Sequence, residues 1–388
     1  MRVRVLEVPV APSVLRWARE TIGKTIEEVA RRLDLGSEMV QSWETGGKRP
    51  TLKQLRKLTV FYKRPLAAFF LPAPPTELPL PTDYRSLPEA VRKPFSEKTL
   101  LALRRARRLQ EISRDLSSGL EQRTSPRIPR TTLADDPRAL AVCTRRDIGL
   151  TLDEQSRCPN PAAALAKWKN GIESRGVLVL ELGFPVPEGR ALALSDDSFP
   201  IIVLNSNDVY HGRIFSLFHE YAHLSLHDSG ICDLSENGKT TEKFCNRFAG
   251  EFLVPQEALL AHPAVAGPRS RRAWDDEELN ALGRFFKVSR EVVLRRLLTV
   301  GLTSQTFYEQ KHREWEAELR ETPRRRRGRR VPARQCVRQN GIPFTSLVLE
   351  SAQQERITYR DVSDFLSIRL KYLPAVEAIV KEASARHA

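Results

Sequence analysis

Prolines recur through LPAPPTELPLPTDYRSLP (residues 71–88) and flank it from Pro65 to Pro94. Proline lacks a backbone N–H and fixes φ, so it interrupts both helices and sheet ladders. Regular elements are therefore excluded over much of this stretch, and a domain boundary falls within it. A chain of 388 residues is in any case too long for a single core and should divide into two or three domains.

The segment before the break reads as short helices. TIEEVARRL opens with Thr25 and carries Glu28 three residues later, the capping box that satisfies the first free amides of a helix. Ile26, Val29, Ala30 and Leu33 line one face. DLG then breaks the pattern, and Ser37 is placed to cap a second helix with Val40 and Trp43 on its buried side. A third helix follows Thr51. Two short helices joined by a tight turn and braced by others make a helix-turn-helix.

Beyond the break lies a basic helix, SEKTLLALRRARRLQEISRDL, and a second connector near Thr124 to Arg130. Helices then lead into GVLVLEL, ALAL and FPIIVLN, three runs of β-type composition that point to a small sheet. IFSLFHEYAHLSLH and TTEKFCNRFAGEFLVP read as helices, and helical pattern continues to about Arg320. FFKVSREVVLRRLLTVG has the look of a helix capped by Ser289 after a short turn. PRRRRGRR, Pro323 to Arg330, is too densely charged to fold readily and reads as a linker before a helical tail. No internal repeat is apparent.

The formal net charge of +15 points to a polyanionic partner, most often nucleic acid. Five scattered cysteines (Cys143, Cys158, Cys232, Cys245 and Cys336) contain no CxxC pair, which favours reduced thiols over a disulfide framework or a cysteine-ligated metal. The N-terminus MRVRVLEVPVAPSV lacks the apolar core of a signal peptide, and no apolar run approaches membrane-spanning length. A cytoplasmic protein without a membrane partner is the expectation.

HEYAH concentrates the chemistry. On a helix, residues four apart share a face, so His219 and His223 can direct ring nitrogens at one ion while Glu220 is turned about 100° aside. Neutral imidazoles suit Zn²⁺, which lowers the pKa of a water it holds, and a neighbouring carboxylate can then act as general base. A catalytic zinc needs a third protein ligand. Downstream, Glu242 and Glu251 are available; Glu242 is favoured because Asn246 lies four residues on, where it could orient a ligand imidazole. His227 also has ligand spacing, but a fourth ligand would close the site, so it is read as structural.

These residues carry a resemblance. WKNGIESRGVLVLEL, FPIIVLN, RIFSLFHEYAHLSLH and EKFCNRFAGEFLVP, together with the N-terminal TIEEVARRLDLGSEMVQSWETGGKRP, resemble the ImmA/IrrE family of zinc metallopeptidases in the subgroup with a Cro/C1-type (XRE) helix-turn-helix. The resemblance implies that His219, His223 and Glu242 are zinc ligands and Glu220 the general base. It also implies cleavage of a partner repressor, a small protein, in a stress or mobile-element response. Asp34 departs from the family's usual glycine in the turn. The same domains would equally serve a transcription regulator whose peptidase-like part senses a ligand or docks a partner without cutting. Mn²⁺ is an alternative to Zn²⁺ for such ligands.

The fold class expected is thus multidomain and mainly α. An all-α helix-turn-helix (8–72) is followed by a proline-rich linker with a basic helix (73–135). An α+β zincin-like metallopeptidase domain with a small sheet (136–320), an arginine-rich linker (321–340) and a helical C-terminal region (341–388) complete it. Ser37, Glu38, Gln41 and Ser42 are expected to face bases or phosphates of DNA, with Thr25, Lys48 and Arg49 on the backbone. The oligomeric state is open, a dimer being compatible with the sequence.

Overall fold

The computed structural model describes residues 6–76, 95–118, 125–227, 236–266, 273–321 and 331–385. The chain splits into two compact units: Met1–Leu80 with Ala90–Arg104, and Pro81–Glu89 with Arg105–Ala388. Among the described residues, no helix is long and apolar enough to cross a membrane. Much of the proline-rich stretch, the arginine run Pro323–Arg330 and Cys232 lie outside the described residues.

The first unit is all-α: α1 (Pro12–Glu20), α2 (Ile26–Leu33), α3 (Ser37–Thr45), α4 (Leu52–Tyr62) and the start of α5 (Glu97–Ser117). Thr25 and Glu28 form the expected capping box, and Thr51 forms another with Gln54. α2 ends at Asp34, whose φ of 58° and ψ of 55° place it in the left-handed region. An aspartate tolerates that conformation better than most residues, so the turn survives the loss of glycine. Ser37 does not cap α3: Gly36 is the N-cap and Ser37 is the first helical residue, with no side-chain bond to the helix end. Regular structure also extends past Pro65, because Leu66–Phe70 forms a 3-10 turn for which Pro65 is the N-cap, a position where a missing N–H costs little. Phe69 of this turn is fully buried and stacks on Tyr62 at 6.3 Å.

One interaction in this unit is not visible in sequence spacing. Glu44, 5% exposed, takes two bonds from Arg19, Nε to Oε1 and Nη2 to Oε2, each 2.8 Å. The bonds raise the pKa of Arg19 and clamp α1 to α3. Removing one partner of a buried pair strands the other charge, so Glu44→Ala should destabilise this unit by about 3 kcal/mol. Calorimetric unfolding of the full chain should show its first-unit transition moved to lower temperature, and an unmoved transition would contradict the clamp.

The second unit contains the rest of α5 and α6 (Pro137–Ile148), α7 (Leu152–Ser156), α8 (Pro161–Glu173), α9 (Tyr210–Ser225), α10 (Glu236–Leu253) and α11 (Gln256–Ala261). It continues with α12 (Asp276–Phe286), α13 (Arg290–Thr299), α14 (Gln305–Glu321), α15 (Pro332–Asn340), α16 (Ile342–Gln353), α17 (Tyr359–Leu366) and α18 (Leu373–Ala385). Ser289 caps α13. The three β-type runs form one sheet in the order β1-β3-β2, with β1 (Leu178–Leu182), β2 (Ala191–Leu194) and β3 (Ile201–Asn205). β1 runs parallel to β3, Leu178 opposite Ile201, and β2 antiparallel to it, Ala191 opposite Leu204. Every residue of the three strands is buried, which explains why they read as continuous apolar runs without alternation. α9 packs on β2 and β3, whereas α8, α15 and α16 pack on β1.

The linker expected over 321–340 is shorter than the sequence indicated. Residues 332–340 are α15, which buries Ala333, Cys336, Val337 and Asn340. Its polar composition concealed one apolar stripe that packs against β1. Two buried carboxylates organise this join. Glu181 of β1 meets Lys169 at 3.0 Å, Arg213 at 2.8 Å and Arg338 at 3.3 Å. Burial by itself would raise its pKa, but Lys169, Arg338 and Arg213 outweigh burial and hold it below the ordinary range.

Glu173 has no such set of cations: burial pushes its pKa up to about 7, against the weaker opposing pull of Lys169 and the Ile342 amide. Gly341 (φ 77°) lies against it, where a Cβ would come within 2.9 Å of Glu173 Oε1. A carboxyl whose pKa is higher folded than unfolded favours folding while protonated, and that contribution fades as pH rises from the unfolded pKa through the folded one. The difference in unfolding free energy between wild type and Glu173→Gln should therefore shift against wild type from pH 4.5 to above 7, by up to roughly 3 kcal/mol. Denaturant titrations at the two ends of this window would measure it, and a pH-independent difference would refute it.

Candidate metal centre

α9 is buried from Arg213 to Ser225 except for the partly exposed Phe215. α10 lies along it, held by Phe252 stacked on Phe218 at 3.8 Å and Phe248 on Tyr221 at 6.2 Å. The C-terminal carbonyls of α10, which have no partner within the helix, are satisfied from outside. Phe252 O accepts from Arg145, Leu253 O from Gln155 and Val254 O from Arg296, at 2.6, 2.8 and 3.1 Å. These bonds tie the end of α10 to α6, α7 and α13, and the aromatic pairs hold it along α9, where Glu242 meets the two histidines.

His223 Nε2 lies 3.2 Å from His219 Nε2 and 3.1 Å from Glu242 Oε1, and His219 Nε2 lies 3.4 Å from Glu242 Oε2. A tetrahedral zinc with bonds near 2.05 Å sets its ligand atoms about 3.3 Å apart. The spacing and the donor set, two imidazole nitrogens and a carboxylate, both fit that ion. Glu220 is 5% exposed; burial raises its pKa, with His223 and His219 pulling the other way.

The other residues named from the sequence fall elsewhere. Glu251 is turned away from the histidines: it pairs with Arg296 in the core and accepts from the Gln256 amide at 2.9 Å. His227 follows α9 with φ 56° and approaches Asp197 at 3.6 Å, apart from the three-residue cluster. Asn246 is half-buried and, among the described residues, makes no hydrogen bond to either imidazole. Cys245, the residue before it, is fully buried, and its thiol pKa is raised mainly by burial, with His223 pulling the other way. Cys245 and Asn246 follow Glu242 by three and four residues, on either side of its face, and spacing alone did not separate the two.

In the first unit Glu38 and Gln41 are exposed on α3, and Ser37 and Ser42 are half-buried beside them. Lys48 and Arg49 are exposed after it. Thr25 is exposed, but its hydroxyl oxygen already accepts from the Glu28 amide. Lys53, Arg56 and Lys57 on α4 are further exposed cations, which the helix-turn-helix pattern alone did not single out.

Residues 172–298 match the IrrE N-terminal-like domain of the peptidase M78 family, and residues 15–69 match the Helix-turn-helix family. No curated protein and no solved structure matches the chain significantly. The chain thus joins a DNA-binding helix-turn-helix domain to a metallopeptidase-like domain. Its residues 172–298 form an IrrE-like domain, preceded by an N-terminal Cro/C1-type helix-turn-helix domain at 15–69.

The two carboxylates of α10 should separate cleanly on substitution. Glu242→Ala should leave the fold intact and lower bound zinc well below one ion per chain by elemental analysis. Glu251→Ala should keep its zinc but lose about 3 kcal/mol of stability, because Arg296 is left buried without its partner. Equal metal content in the two variants would rule out this assignment.

Proposed function

We propose that this protein is a DNA-binding, zinc-dependent endopeptidase that cleaves a partner transcriptional repressor in a stress or mobile-element response. The observation that supports this reading is the convergence of His219, His223 and Glu242 at tetrahedral spacing, with Glu220 buried on the same helix. These three side chains would hold the ion and leave one position open. When bound, zinc supplies a Lewis acid and a water that ionises near neutral pH; Mn²⁺ suits the same ligands.

Glu220 takes the proton of the attacking water and returns it to the leaving amine. Its burial serves this role twice. A low-dielectric setting strengthens its interaction with the neighbouring imidazoles, and the raised pKa brings its proton affinity closer to working pH. The first unit supplies the DNA contact, with Glu38, Gln41, Ser37 and Ser42 toward the groove and Thr25, Lys48 and Arg49 toward phosphates.

Glu220→Gln tests the reading directly, since it preserves shape and removes the base. Cleavage of the partner repressor should fall by roughly 100-fold to 10,000-fold, while zinc content and DNA binding stay at wild-type levels. If the biological effect persists in cells carrying Glu220→Gln, the protein acts as a regulator without proteolysis and the proposal fails.

A further inference from the structure

The turn between α17 and α18 repeats the one between α2 and α3. In α2, Thr25 N donates to Glu28 Oε2 at 2.9 Å and Glu28 N to Thr25 Oγ1 at 3.2 Å. In α17, Thr358 N donates to Asp361 Oδ2 at 2.9 Å and Asp361 N to Thr358 Oγ1 at 3.2 Å. Both helices are 8 residues long. Val29 and Leu33 are buried in one, Val362 and Leu366 in the other. Each ends on a left-handed residue, Asp34 at φ 58° and Ser367 at φ 52°. The apolar residue after it donates back to the helix, Leu35 to Ala30 O at 3.0 Å and Ile368 to Ser363 O at 3.1 Å. The shared pattern T-x-x-[ED]-V-x-x-x-L is too sparse to register as a repeat in the sequence alone.

Similar turns follow α6 and α12, at Gly149 and Lys287, so the turn by itself names no partner. After α12 the cations are engaged: Arg290 pairs with Asp276 and Glu318, and Arg295 with Glu291. The surface of α17 differs. Arg356, Arg360, Arg369 and Lys371 are all exposed, and among the described residues none forms an ion pair. Tyr359 and Leu370 between them are 66% and 45% exposed. Asp361 is engaged by Thr358; the other carboxylates nearby are Glu355 and Asp364, with Glu377 and Glu382 farther along α18.

We propose that α17, the turn and α18 form a second contact for duplex DNA, of the sequence-independent kind that binds phosphates. Arg356 and Arg360 flank the N-terminal end of α17, and Arg369 and Lys371 lie at the 3-10 turn Leu370–Tyr372 that leads into α18, near the places a helix-turn-helix turns toward the duplex. In the shared register Glu38 of α3 becomes Lys371, so an anion is replaced by a phosphate-seeking cation. Gln41 and Ser42 become Pro374 and Ala375, which have no side-chain donor for a base edge. The exposed tyrosine and leucine offer apolar surface to sugars and bases once the cations have docked.

The test is equilibrium binding of the full chain to a mixed-sequence 30-bp duplex, followed by fluorescence anisotropy between 50 and 200 mM salt. Replacing Arg356, Arg360, Arg369 and Lys371 with alanine should make the plot of log K against log salt shallower by about 3 to 4, at roughly 0.9 per lost phosphate contact. Over that salt range the wild type should then lose on the order of 100-fold more affinity than the variant. A variant with lysine at 356, 360 and 369 keeps the charge and should keep the wild-type slope, which separates charge loss from misfolding. An unchanged slope in the alanine variant, or an alanine-like slope in the lysine variant, overturns the proposal. So does an alanine variant that binds DNA normally but loses an acidic protein partner.

Discussion

A helix buried along most of its length must account for each polar group it carries, and α9 carries several. Arg213, His219, Glu220 and His223 are all withdrawn from water, where an unpaired charge or unsatisfied donor costs several kcal/mol. Three of them find a counterpart on another element: Arg213 on Glu181 of β1, and His219 and His223 on Glu242 of α10. The packing of α8, α10 and the sheet around α9 is therefore constrained by chemistry as well as by apolar area. The polar groups settle which neighbours can approach and in what register, and Phe218, Tyr221, Phe248 and Phe252 provide the apolar area that holds them there.

Glu181 extends this constraint to the C-terminal region. Its carboxylate joins α8 through Lys169, α9 through Arg213 and α15 through Arg338. One oxygen, Oε2, serves both arginines. A change in the position of α15 is thus felt at the first turn of the helix that carries the histidines, through a single side chain. Buried ionic networks of this kind add little net stability relative to apolar packing, yet they are costly to break by halves.

The parts of the site most legible in the sequence lie within one helical turn. His219, Glu220 and His223 share α9, so their relative directions follow from 3.6 residues per turn. The caps at Thr25, Thr51 and Ser289 were legible for the same reason, being bonds over three residues. The strands were legible as apolar runs, but their order and the parallel pairing of β1 with β3 were not. Ser37 shows the limit of even a local reading: the helix starts one residue earlier than its capping propensity suggests, with Gly36 as the N-cap.

Residue identity by itself determined the donor chemistry, the helical spacing of the histidines and base, the capping boxes and the need for a break at the proline-rich stretch. All of these are set by covalent geometry and interactions between near neighbours. Only tertiary structure decided that Glu242 and not Glu251 meets the histidines, and that residues 332–340 leave the linker to cover β1. It also set Arg19 against Glu44. These choices compare side chains that look equivalent along the chain, and what separates them is which element lies opposite once apolar area is buried.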